Sequence, residues 1–107
     1  MDGLEISPQA VAQVVLMSRE IERAEPELRA FIERMDDQKQ AELVALMWIG
    51  RGAFEPEDLA EAVATAENEA TTPCADYLIG TPHLSDHLEA ALEAFGVDVT
   101  DIEDALM

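Results

Sequence analysis

The chain of 107 residues is short of positive charge: six lysines and arginines face 24 aspartates and glutamates, a formal net charge of −18. The shortage is uneven. Residues 1–51 hold ten acids and all six bases, net −4, whereas the fourteen acids after Arg51 have no base among them, net −14. Nucleic-acid phosphates and anionic lipid headgroups are held by clustered Lys or Arg, so direct binding to either is disfavoured. Cysteine is equally scarce. Cys74 is alone, so no internal disulfide can form, and a reducing cytoplasmic setting is expected. The longest apolar run, residues 43–49, is far below the roughly 20 residues that cross a bilayer, and MDGLEISP has neither the basic start nor the apolar core of a signal peptide. There is no glycine-rich phosphate loop, no paired cysteine motif and no nucleophile motif around Ser18 or Ser85, so the expectation is no enzyme, no catalytic residue and no cofactor.

What the chain does have is helical punctuation. Ser7-Pro8, Glu25-Pro26, Glu55-Pro56, Thr72-Pro73 and Thr81-Pro82 each set proline after a polar residue and ahead of a helical pattern. Proline suits the first helical position because that amide has no intrahelical partner. Each pair therefore reads as a cap followed by a helix start. Ala10, Val11, Val14, Val15, Met17 and Ile21 form one apolar face; Leu28, Phe31, Ile32 and Met35 form a second. Asp36 reads as the N-cap of a third helix whose second half, LVALMWI, is apolar on every side, as expected of a helix at the centre of a core. Leu59, Val63, Ala66 and Ala70 give a narrower face. PCADYLIG reads as a short helix closed by Gly80. Thr81 reads as opening the last long helix, with Leu84, Leu88, Ala91, Leu92 and Phe95 inward and Gly96 as its stop. The tail from Thr100 reads as one more turn, and Val97 and Val99 as an extended link. The expectation is an all-α fold, a compact bundle of five to seven short helices with proline-initiated starts, forming a single domain over residues 1–107.

Two segments, QAELVALMWIGRG and YLIGTPHLSDHLEAAL, together resemble a bacterial family of uncharacterised proteins known as domain of unknown function 3775. The likeness runs from Glu27 to Leu92, with Trp48-Ile49-Gly50-Arg51-Gly52 and Tyr77-Leu78-Ile79-Gly80-Thr81-Pro82 as its marks. It implies a small cytoplasmic helical protein and brings no catalytic residue with it.

Three constellations carry functional candidates. Gly50 and Gly52 can both take positive φ, which would hold Arg51 at the helix end, within reach of Glu55, Asp58, Asp76 or Asp86 as an internal clamp; alternatively Arg51 presents its guanidinium to an anion. His83 and His87, four apart on one helical face, have the spacing of two metal ligands, but no third ligand is fixed. Trp48, Met47, Ile49 and Phe54 form the richest apolar cluster, which reads as core and also as an interface of the kind aromatic residues favour. The leading expectation is a non-enzymatic module that self-associates as a homodimer or binds a protein partner through the third and sixth helices, with Trp48, Arg51 and Phe54 as the partner-binding residues. Two alternatives stand beside it: an acidic mimic of nucleic acid that occupies a basic protein, and a metal-dependent enzyme built on His83 and His87.

Overall fold

The computed structural model describes residues 4–69 and 72–97, which hold six α-helices and no strand. Their order is α1 (Pro8–Arg19), α2 (Ile21–Glu33), α3 (Asp37–Arg51), a 3-10 turn (Pro56–Asp58), α4 (Leu59–Asn68), α5 (Cys74–Ile79) and α6 (Leu84–Ala94). The all-α expectation of five to seven helices holds. Ala70, Val99 and the tail from Thr100 lie outside the described residues.

Local chemistry sets several boundaries where the sequence places them. The Ser7 hydroxyl accepts from the Ala10 amide and Pro8 opens α1. The Asp36 carboxylate accepts from the Lys39 amide at 2.8 Å and opens α3. Pro56 begins the 3-10 turn, where Asp58 accepts from the Glu55 amide. Gly96 stops the last helix at φ 78.

Three proline readings need correction. Pro26 does not start a helix; it lies inside α2, which already begins at Ile21, with only Glu20 between it and the end of α1. Its ring removes the bond to the Glu22 carbonyl, yet Glu22 and Pro26 are both exposed, so water can serve that carbonyl. The buried face of Leu28 and Ile32 outweighs the lost bond. Thr72 does not cap α5, which begins one residue late, with Pro73 itself at the cap position. Nor does Thr81 open α6: its hydroxyl donates back to the Tyr77 carbonyl at 2.8 Å and so closes α5, while α6 starts at Leu84 behind His83 in the left-handed conformation, φ 59.

α3 occupies the centre, packed against α4, α5 and α6; α1 packs on α6 and α2, and α2 on α5. Leu43, Ala45, Leu46 and Met47 are fully buried, as the apolar run requires. Gly50 is helical rather than left-handed, contrary to the expectation of positive φ, and only Gly52 of the two leaves α3 in that way, at φ 90. Gly50 is needed for a different reason. A Cβ there would lie 1.6 Å from the His87 carbonyl oxygen, so the backbones of α3 and α6 touch at this point. Two ion pairs tie the outer helices down, Arg19 to Glu89 at 2.7 Å and Arg29 to Asp76.

Candidate functional site

One side of α3 is not sealed by its neighbours. Ala41, Val44 and Trp48 retain 7%, 8% and 9% of their surface, while Leu43, Leu46 and Met47 between them retain none. The i, i+3, i+7 spacing puts these three on one stripe about 10 Å long. The stripe floors a groove of about 1010 Å³, whose walls come from Ala66, Glu67 and Glu69 at the end of α4 and from Thr72, Pro73, Cys74 and Tyr77 at the start of α5. Asp37, Gln38 and Gln40 close the near end.

The floor is held rigidly. The Trp48 indole N–H donates to the Tyr77 hydroxyl at 2.9 Å, so its one polar atom is satisfied, and its ring stacks on Phe54 with centroids 5.8 Å apart. The Cys74 Sγ contacts the Gln40 carbonyl at 3.8 Å, and burial pushes its thiol up to about 12. It is therefore a thiol at neutral pH and a poor nucleophile. At the mouth stand the exposed carboxylates of Asp37, Glu67 and Glu69, and no lysine or arginine lines the groove.

Behind the near end lies a feature that the linear sequence did not reveal. Glu42 is 1% exposed and makes no ion pair among the described residues. Its carboxylate accepts from the backbone amides of Glu5 (3.0 Å) and Ile6 (2.8 Å) and from the Gln38 side chain (3.0 Å), so three fixed donors serve its two oxygens. It thereby pins the segment ahead of α1 to the middle of the fold. Gln38 belongs both to this network and to the groove. The only signal available in the sequence was a lone acid entering the LVALMWI run.

Of the three residues expected to bind a partner, the structure brings two together. Trp48 and Phe54 form one stacked pair at the groove, with Phe54 half-buried. Arg51 stands apart, exposed on the final turn of α3. The internal clamp assigned to it is not formed: Asp76 is taken by Arg29, Asp86 lies 3.7 Å from His83, and Arg51 makes no ion pair among the described residues. The clamp fails because the partner of Asp76 comes from α2, which the chain order did not reveal. His83 and His87 do not share a helical face either, since His83 precedes α6 in the left-handed conformation. No group of three His, Cys, Asp or Glu side chains among the described residues is placed to hold a metal ion. No helix among them is long and apolar enough to cross a membrane.

A family model described as a protein of unknown function matches residues 25–97. The chain belongs to that family, DUF3775. No curated protein and no solved structure matches the chain. Within this DUF3775 member the matched span contains every residue that lines the groove, from Asp37 to Tyr77, while α1 and the segment pinned by Glu42 lie before it. The family span therefore includes the whole candidate site.

Proposed function

We propose that this DUF3775 protein is a non-enzymatic protein-interaction module that receives apolar side chains of a partner on the open stripe of α3. The observation that carries this reading is that Ala41, Val44 and Trp48, each keeping a small share of its surface, lie together at the floor of a groove, whereas Ile49, the other residue of the run that keeps some surface, does not line it. An apolar stripe of helical spacing is the kind of surface on which an amphipathic partner helix docks. The local chemistry offers little for catalysis: the Cys74 thiol is protonated at neutral pH and the Ser18 hydroxyl donates to the Val15 carbonyl.

Self-association, the other form of the expectation, loses its original motive. The all-round apolarity of α3 is mostly consumed inside one copy of the chain, and two chains of net charge −18 repel each other on approach. Binding is tested by following the Trp48 indole resonance of labelled protein during titration with three helical peptides bearing leucines at i, i+3, i+4 and i+7 and either lysine, glutamine or glutamate elsewhere. Saturable shifts with at least one peptide, abolished by the groove-filling substitutions Ala66→Leu and Thr72→Phe in protein that still melts cooperatively, are expected. No shift with any of the three would overturn the module.

A further inference from the structure

We infer that the partner of the groove is a basic amphipathic segment of another protein, with apolar side chains on one face and lysines or arginines flanking them. This rests on the binding reading above and gives it a chemistry. The floor is Ala41, Val44 and Trp48, with the rings of Trp48 and Tyr77 joined by a hydrogen bond; the mouth is Asp37, Glu67 and Glu69. These carboxylates come from the first turn of α3 and the end of α4, so two separate elements bring acids to the lining of one apolar floor. A segment lying along the stripe therefore meets three carboxylates and no lysine or arginine among the lining residues. Lysine and arginine also carry apolar stems, which lie along such a floor while their charged heads reach the rim.

Charge decides among the possible occupants. A second copy of this chain would bring fourteen acids and no base from the whole of its length after Arg51, and so would meet the acidic mouth with like charge. Nucleic acid is repelled for the same reason. An acidic or neutral helix would gain the apolar contacts without the rim. For a basic helix both terms add, and the net charge of the whole chain speeds the encounter.

The decisive experiment separates this groove from the general acidity of the surface. The titrant is a tryptophan-free helical peptide of about 18 residues, about 27 Å long, in which lysines flank a leucine stripe. Its binding is read through fluorescence of Trp48, the single tryptophan of the chain. The lysine peptide is expected to bind roughly tenfold more tightly than its glutamine counterpart at low salt and to lose most of that advantage at about 0.3 M salt. The triple substitution Asp37→Asn, Glu67→Gln and Glu69→Gln should erase the advantage while leaving the glutamine peptide's affinity intact. The charge-matched triple substitution Glu22→Gln, Glu61→Gln and Glu93→Gln, at exposed acids that do not line the groove, should leave the advantage in place.

Equal binding of the lysine and glutamine peptides would overturn the basic partner and leave the interaction module standing. Equal losses in the two triple variants would also overturn it, because attraction would then belong to the whole surface. Spermidine, a small cation without an apolar face, should produce no saturable change in Trp48 emission; saturation comparable to the peptide would replace the protein partner with a small polyamine. Absence of any response to all three titrants would remove both the basic partner and the module.

Discussion

The two sides of α3 are built from one apolar run, yet they do opposite things. On the side facing α6 the backbones touch at Gly50 and His87, and Leu43, Leu46 and Met47 are completely enclosed. On the side between α4 and α5 the stripe of Ala41, Val44 and Trp48 ends at a groove. Both sides have the same hydropathy. What separates them is the size of the side chains that approach: a glycine lets α6 come to contact distance, whereas on the other side the large rings of Trp48, stacked on Phe54 and hydrogen-bonded to Tyr77, border the groove. Apolarity thus fixes that a helix is central, and steric detail fixes whether each of its faces is core or floor.

The closed side should break most severely. Gly50→Ala places a methyl group against the His87 carbonyl, a backbone atom that cannot rotate away, so α3 and α6 must separate along their length. A loss of about 4 kcal/mol or more is expected, a large share of the stability of a domain of this size. Thermal unfolding followed by circular dichroism should show a melting temperature lower by well over about 10 °C, or no cooperative transition. A shift of only a few degrees would mean that the helices are not in contact there.

A matched pair of truncations then measures the comparison directly. Leu46→Ala opens a void in a closed region and should cost about 3 kcal/mol, the transfer and cavity terms together. Val44→Ala removes atoms from the groove floor, where solvent can follow, and should cost about 1 kcal/mol. The extra methylene of leucine accounts for only about 0.8 kcal/mol of the difference. Equal losses in urea denaturation would show that Val44 is as enclosed as Leu46 and that the groove is closed in solution.

Glu42 offers the next largest effect, from the end of the groove where the two sides meet. Glu42→Ala leaves the Glu5 and Ile6 amides without their acceptor and should cost about 2 kcal/mol. Hydrogen exchange at the Ile6 amide should accelerate far more than exchange within α6. Uniform acceleration would show that the segment ahead of α1 opens only with the whole fold.

How much of this was legible depended on distance along the chain. The caps at Ser7 and Asp36 and the stop at Gly96 were readable because donor, acceptor and special backbone lie within a few residues of one another. Pro26 was misread because a local rule about helix starts was overridden by burial of Leu28 and Ile32, a tertiary term. Glu42 was unreadable as an anchor: its partners lie 36 and 37 residues earlier, and nothing near it marks an acid that is to be buried. The groove was half legible. The spacing of Ala41, Val44 and Trp48 is present in the sequence, but so are equally good stripes through Leu43 and Met47, and only the placement of α4 and α5 chooses between them. The pairing of Trp48 with Phe54 as one cluster was readable from their proximity; the hydrogen bond from Trp48 to Tyr77, 29 residues away, was not.

The smallest effect is expected at Arg51, on the rim of the comparison. Its place in the last turn of α3 suits the negative end of the helix dipole, and a cation there contributes about 0.3 to 1 kcal/mol at most when exposed. No carboxylate is engaged by it among the described residues, so Arg51→Ala removes no ion pair. The melting temperature should fall by no more than about 4 °C, and less at high salt. Arg29→Ala is the informative partner, because it breaks the pair with Asp76 that links α2 to α5 and so to one wall of the groove. It should perturb the Trp48 resonance through Tyr77, which follows Asp76 directly on α5, while Arg51→Ala leaves that resonance in place. If Arg51→Ala proves the more damaging of the two, the link between the basic and acidic halves runs through the end of α3 after all, and the wall of the groove does not depend on α2.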